Sequence, residues 1–201
     1  MNLIDKATII QFHRHRIATY ANGTVKALGW KGVESQTWRF EVLAGVGDLS
    51  ECSVLDLGCG YGDLKPFLDQ RFSDVAYIGV DQMHEFVREA ARRYSGYPNT
   101  HFFIGDFTTM ALPRVDYVLA SGAFGYCSAD PGFPETMIRR IYQAAEKGVA
   151  FNMLDAAFFP PHALLKGYDR EKVVSFCRRL TLNYKLITGY LEDDFTLFLY
   201  K

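Results

Sequence analysis

Between Val54 and Gly62 the chain reads Val-Leu-Asp-Leu-Gly-Cys-Gly-Tyr-Gly, an apolar run that breaks into glycines at every second position. A backbone without Cβ atoms can turn sharply there and admit a ligand at close range. Nineteen residues past Gly62, at the end of the run Ala-Tyr-Ile-Gly-Val, stands Asp81. An acid in that place can accept hydrogen bonds from both hydroxyls of a ribose, which predicts a nucleoside in the crevice at the carboxyl ends of the strands. A dinucleotide fingerprint starting at Gly58 would need its third glycine at position 63, which is Asp63. An acid at a helix N-terminus is a poor host for a pyrophosphate that seeks the same dipole. The lysine and hydroxyl residue of a P-loop are also missing. The spacing therefore points to a nucleoside without phosphates.

Such a crevice needs strands alternating with helices. From Cys52 onward, short β-branched or aromatic runs (SVLDL, AYIGVD, HFFIGD, VDYVLAS, GVAFNML) alternate with segments suited to helices: Gly62 to Phe72, Met83 to Tyr94, Pro134 to Lys147 and Arg170 to Leu180. This predicts a doubly wound α/β fold with a mostly parallel seven-stranded sheet buried on both faces. The final runs LNYKLITGYL and DFTLFLYK, joined through Glu192-Asp193-Asp194, are expected to form an antiparallel pair at the sheet's end. Ahead of this α/β core (52–201) lies a helical lead-in (1–48), with apolar residues at Leu3, Ile4, Ala7, Ile10 and Ile17 and a break at Gly29 to Gly32. One domain over 1–201 is the expected organisation.

Composition narrows the partners. Lysine plus arginine number 22 against 23 acids, a formal charge of −1, so no global field draws the chain to nucleic acid. No run approaches the length of a membrane span. Cys52, Cys59, Cys127 and Cys177 lie far apart without a CxxC pair, which predicts reduced thiols in a cytoplasmic protein and no zinc site.

Asp56-Leu57-Gly58-Cys59-Gly60-Tyr61-Gly62, followed by Asp81 and by Gly105-Asp106-Phe107, resembles the S-adenosylmethionine site of class I (Rossmann-like) methyltransferases. The resemblance extends over about residues 35 to 200. It implies S-adenosyl-L-methionine as cofactor. Asp56, Gly58, Cys59, Gly60 and Gly62 would form the loop beside its methionine portion, Asp81 with Gln82 would take the ribose, and Asp106 with Phe107 the adenine. The segment from Ser35 to Phe40 is similar to the one where ubiquinone-pathway O-methyltransferases place an arginine on the cofactor carboxylate, a role that would fall to Arg39 through its planar fork. Ser121 and Gly122, at the end of the fourth strand, would line the methionine part. Cys59 reads as a small side chain packed under the loop rather than a nucleophile.

Amino-group methyltransferases acting on nucleic acid or glutamine carry Asn or Asp, then Pro-Pro and an aromatic, after the fourth strand; here the chain has Ser121-Gly122-Ala123-Phe124-Gly125-Tyr126. The expected acceptor is therefore a small molecule, with oxygen slightly favoured over nitrogen, and no nucleic acid, membrane or metal is implied. Sulfonium methyl transfer asks mainly for alignment and exclusion of water, with a base required only for a protonated acceptor. Candidates for that base or for substrate contact are His13, His15 and Tyr126; two histidines two apart on a helix point in different directions, so at most one faces the pocket. Asp155 is the only acid offering itself near the fourth and fifth strand ends. A noncatalytic cofactor-binding scaffold and an NAD-dependent dehydrogenase are the competing readings.

Overall fold

The computed structural model describes residues 1–201. In chain order it contains α1 (Leu3–Tyr20), α2 (Val33–Ala44), β1 (Ser53–Leu57), α3 (Leu64–Asp69), β2 (Ala76–Asp81), α4 (His84–Arg93), β3 (Thr100–Ile104), β4 (Val115–Ala120), α5 (Phe133–Ala144), β5 (Ala145–Leu154), α6 (Arg170–Arg178), β6 (Tyr184–Thr188) and β7 (Asp194–Tyr200). The strands form one seven-stranded sheet in the order β3-β2-β1-β4-β5-β7-β6. β1 to β5 run parallel, and β7 lies antiparallel between β5 and β6. The order reverses between β1 and β4, and a crevice opens above their carboxyl ends.

Alternation along the strands divides the core. Leu55 and Leu57 face a cluster completed by Phe133, Ile138 and Ile141 of α5 and Val174 of α6, while Val54 joins Phe40 and Leu43 of α2 and Leu64 and Leu68 of α3 on the other side. Both faces are thus covered, as a central parallel sheet requires. A third, smaller cluster joins Ala27 and Tyr61 to Met83 and Phe86, with Ile10, Ile17 and Leu28 against it, and seats α1 over the crevice. Asn2 and Asp5 begin that helix with a reciprocal capping box.

Three boundaries differ from expectation. The helix expected over Gly62 to Phe72 is confined to α3, because Gly62 sits at φ +75° and the chain past Asp69 tightens into a turn in which the Arg71 and Phe72 N–H groups donate to the Leu68 carbonyl. The helix expected to reach Lys147 stops at Ala144, where Ala145 already pairs with Val115 of β4. The run expected over LNYKLITGYL is cut to β6, Tyr184–Thr188, with Gly189 at φ +84° just beyond it.

Candidate functional site

The turn after β1 is held open by its glycines. Gly58 and Gly60 have φ of +75° and +55°, and a Cβ on Gly60 would stand 2.7 Å from the Leu28 side chain. Gly62 shares the positive φ but lies outside the cavity: a Cβ there would meet the Phe102 ring at 2.7 Å, so this glycine serves packing against β3 and not the lining assigned to it from the sequence. The Cys59 side chain is buried against Gly79 of β2. Asp63, at the head of α3, accepts from Gln36 Nε2 at 3.3 Å and from Arg93 Nη1 at 3.2 Å.

Asp81, at the end of β2, is buried beside that turn. One carboxylate oxygen accepts from the Met83 N–H at 2.8 Å and the other from the Gly60 N–H at 3.0 Å, and no cation pairs with it. Each oxygen keeps a free lone-pair direction toward the cavity. Asp56 is buried too and accepts from the Tyr77 hydroxyl. Burial pushes the Asp56 carboxyl up to about 7, against the Tyr77 hydrogen bond, and the Asp81 carboxyl up to about 6, against its backbone N–H donors.

The sign of this follows from linkage. An unfolded aspartate ionises near about 3.9, so through the window from there to about 7 the folded chain holds more protons than the unfolded one, and stability falls as pH rises. The ligand-free protein should therefore melt at a lower temperature at about pH 8 than at about pH 5.5, and Asp56→Asn should shrink that difference. An equal difference in the variant, followed by thermal denaturation, would contradict the assignment.

Asp106, after β3, accepts from the Thr108 N–H at 2.9 Å, the Thr108 hydroxyl at 2.6 Å and the Thr109 hydroxyl at 2.8 Å, and also pairs with Lys6 of α1. These four donors fill a carboxylate's capacity, so a ligand amino group would have to displace one of them, with Lys6 the most readily moved. The Asp106 carboxyl is held down at about 2, its hydrogen bonds to Lys6 and the two threonines outweighing burial. Phe107 and Gln82 line the same cavity.

Arg39 of α2 is buried and meets Asp194 through Nε at 2.5 Å and Nη2 at 2.8 Å, while Nη1 donates to the Ser35 carbonyl at 3.0 Å. Its guanidinium stacks on Trp30, 4.7 Å from the ring centroid. Three of five N–H groups are thus committed and two remain for a ligand. Asn152 of β5 extends the network, donating to Asp194 at 3.0 Å and accepting from the Gly122 N–H at 2.7 Å. Asp194 and Asn152 gave no periodicity or motif signal, because their partners lie more than a hundred residues, or a strand, away. Ser121 Oγ, beside Gly122, is buried without a hydrogen-bond partner in the cavity wall. Asp155 is engaged by Arg170 Nη1 at 3.0 Å.

The residues assigned to the cofactor from the sequence, Gly62 apart, border one cavity of about 250 Å³ together with Asn152, whereas Asp63, Asp155 and Asp194 do not. Its outer half is built by α1, by Leu28 and Trp30 in the α1–α2 connection, by Phe86, and by Phe159 and Leu165 in the segment after β5. Of the two candidate histidines, His13 is buried in this wall, whereas His15, two residues on, turns to the exposed side of α1 and has no place in the site. His13 Nε2 lies 2.6 Å from the Tyr126 hydroxyl and Nδ1 3.1 Å from the Ala27 carbonyl.

A family model described as a methyltransferase domain matches residues 54–148. A protein of Mycobacterium tuberculosis that bears a provisional methyltransferase name is 36% identical over 107 residues, 51% of this chain and 63% of that protein. Trans-aconitate 2-methyltransferase of Acidovorax sp. strain JS42 is 28% identical over 127 residues, 63% of this chain and 47% of the enzyme. The matched parts thus span from about half to just under two thirds of these relatives. Among solved structures, magnesium protoporphyrin IX methyltransferase from Synechocystis PCC 6803, crystallised with S-adenosylhomocysteine, superposes with a TM-score of 0.70 at 16% identity, covering 96% of this chain and 98% of that one.

Proposed function

The chain belongs to the class I S-adenosylmethionine-dependent methyltransferase family, and from that premise we propose that it transfers the methyl group of S-adenosylmethionine to a small-molecule acceptor, at oxygen in preference to nitrogen. The observation that carries this reading is the Asp81 carboxylate: buried, without a counter-cation, its oxygens half-satisfied by Met83 and Gly60, and open to the cavity. A ribose diol supplies the two donors such a group lacks. The other groups fit the cofactor as well. Two N–H groups of Arg39 and the orphaned Ser121 hydroxyl suit the methionine carboxylate and amine, while Asp56 and Asp81 give a cationic ligand its counter-charge.

Bound S-adenosylmethionine supplies a methyl group activated by a positive sulfur. The chain's own contribution is to bind, to align and to keep water out. α1 and the aromatic walls at Phe12, Trp30, Phe86 and Phe159 enclose the outer half. Asp63 and its partners Arg93 and Gln36 stand where a dinucleotide's pyrophosphate would require free N–H groups, which supports the methyl-transfer reading over the dehydrogenase one. No helix is long and apolar enough to cross a membrane; with all four cysteines free, the reading includes a cytoplasmic location. The test is incubation with S-adenosylmethionine labelled in the methyl group and matched panels of hydroxyl and amine compounds. Label is expected in a hydroxyl compound. Cofactor binding with no transfer to any acceptor would favour the scaffold reading.

A further inference from the structure

Resting on that reading, we propose that the acceptor is an uncharged, largely apolar compound whose hydroxyl donates a hydrogen bond to Tyr126, which His13 holds in place. The geometry fixes the direction of each hydrogen bond. Ala27 offers only a carbonyl, so His13 Nδ1 must carry a proton and donate. Burial brings the His13 pKa down to about 4, so the ring is neutral near pH 7 and Nε2 holds a lone pair. Tyr126 therefore donates its hydroxyl hydrogen to Nε2 across 2.6 Å. The phenolic oxygen is left as an acceptor at the cavity wall and calls for a ligand that donates. A carboxylate has no proton to offer it.

Charge points the same way. The side chains lining the cavity include four aspartates, at 56, 81, 106 and 193, against two cations, Lys31 and Arg39. Both cations are already paired, Lys31 with Asp193 at 3.7 Å and Arg39 with Asp194 at 2.5 Å. A polycarboxylate such as the substrate named for the trans-aconitate relative would find no unpaired cationic side chain in this lining, Lys6 nearby being held by Asp106, and would face aromatic walls. Tyr126 Oη thus accepts the hydrogen bond of the acceptor's O–H while its own hydroxyl hydrogen stays directed at the His13 Nε2 lone pair, which holds the acceptor oxygen in place at the cavity wall.

The experiment uses the whole chain saturated with S-adenosylhomocysteine and reads binding by calorimetry, with no turnover. 2-Naphthol should bind at least about tenfold more tightly than 2-naphthoate or trans-aconitate, and about tenfold more tightly than 2-methoxynaphthalene, which lacks the donor. Tyr126→Phe should reduce the 2-naphthol affinity to that of the methoxy compound while S-adenosylhomocysteine still binds as before. Naphthoate or aconitate binding as well as naphthol, no binding of naphthol, or unchanged naphthol affinity in Tyr126→Phe would overturn the acceptor class and leave the cofactor reading standing. Failure of S-adenosylhomocysteine itself to bind would overturn the cofactor reading, and this inference with it. The comparison of naphthol with its methyl ether needs no variant, so it stands even if Tyr126→Phe folds poorly.

Discussion

Asp194→Ala should cost about 3–5 kcal/mol of folding stability, the scale for stripping one partner from a buried ion pair. Arg39 would keep a charge with 9% of its side chain exposed and lose both its closest acceptors, and Asn152 would lose the oxygen that receives its amide. Because Asn152 also holds the Gly122 N–H, the damage should spread to the cavity wall. Replacing both charges, as Arg39→Met with Asp194→Leu, should recover most of the stability, since a buried pair and a well-packed apolar pair are often near equal. That double variant should still bind S-adenosylhomocysteine more weakly than the parent, because the two free guanidinium N–H groups are gone. Adenosine, which lacks the methionine part, should bind unchanged. Denaturant unfolding read alongside calorimetry separates the two roles, and a loss below about 1 kcal/mol in Asp194→Ala would show the pair to be solvated rather than buried.

The second large effect belongs to Asp81. Asp81→Ala should weaken S-adenosylhomocysteine binding by about 1–3 kcal/mol, roughly fivefold to 150-fold, since two ligand hydroxyls would be left without acceptors in a buried place. Adenosine should lose a similar factor, unlike the pattern expected for Arg39. Asp81→Asn should be nearly as weak a binder, because the amide turns a donor toward either the ligand hydroxyl or the Gly60 N–H, which now donates to the carboxylate at 3.0 Å. Full affinity in Asp81→Ala would remove the ribose from this position.

The sheet, its parallel core and the antiparallel close were legible because strand runs and helix-length segments alternate and because each βα unit fixes its own register locally. The glycine turn and Asp81 were legible for a related reason: their roles depend on backbone conformation and on strand-end position, both encoded within a few residues. What escaped was carried by side chains meeting across the fold. The segment around Arg39 carries no sign that its guanidinium is held by an aspartate 155 residues away. Gly62 matched the motif's spacing, yet its missing Cβ makes room for Phe102. Nothing in the residues around Lys6 signals that it reaches Asp106. His13 and His15 were equivalent in sequence, and the helix phase set by Ile9, Ile10 and Ile17 against the crevice chose between them.

The most direct measurement is a calorimetric titration of the purified protein with S-adenosylhomocysteine and, separately, with NADH. Saturable one-to-one binding of the first is expected, abolished or sharply weakened by Asp81→Ala, with no heat from the second. Saturation by NADH, or indifference to S-adenosylhomocysteine, would contradict the cofactor reading.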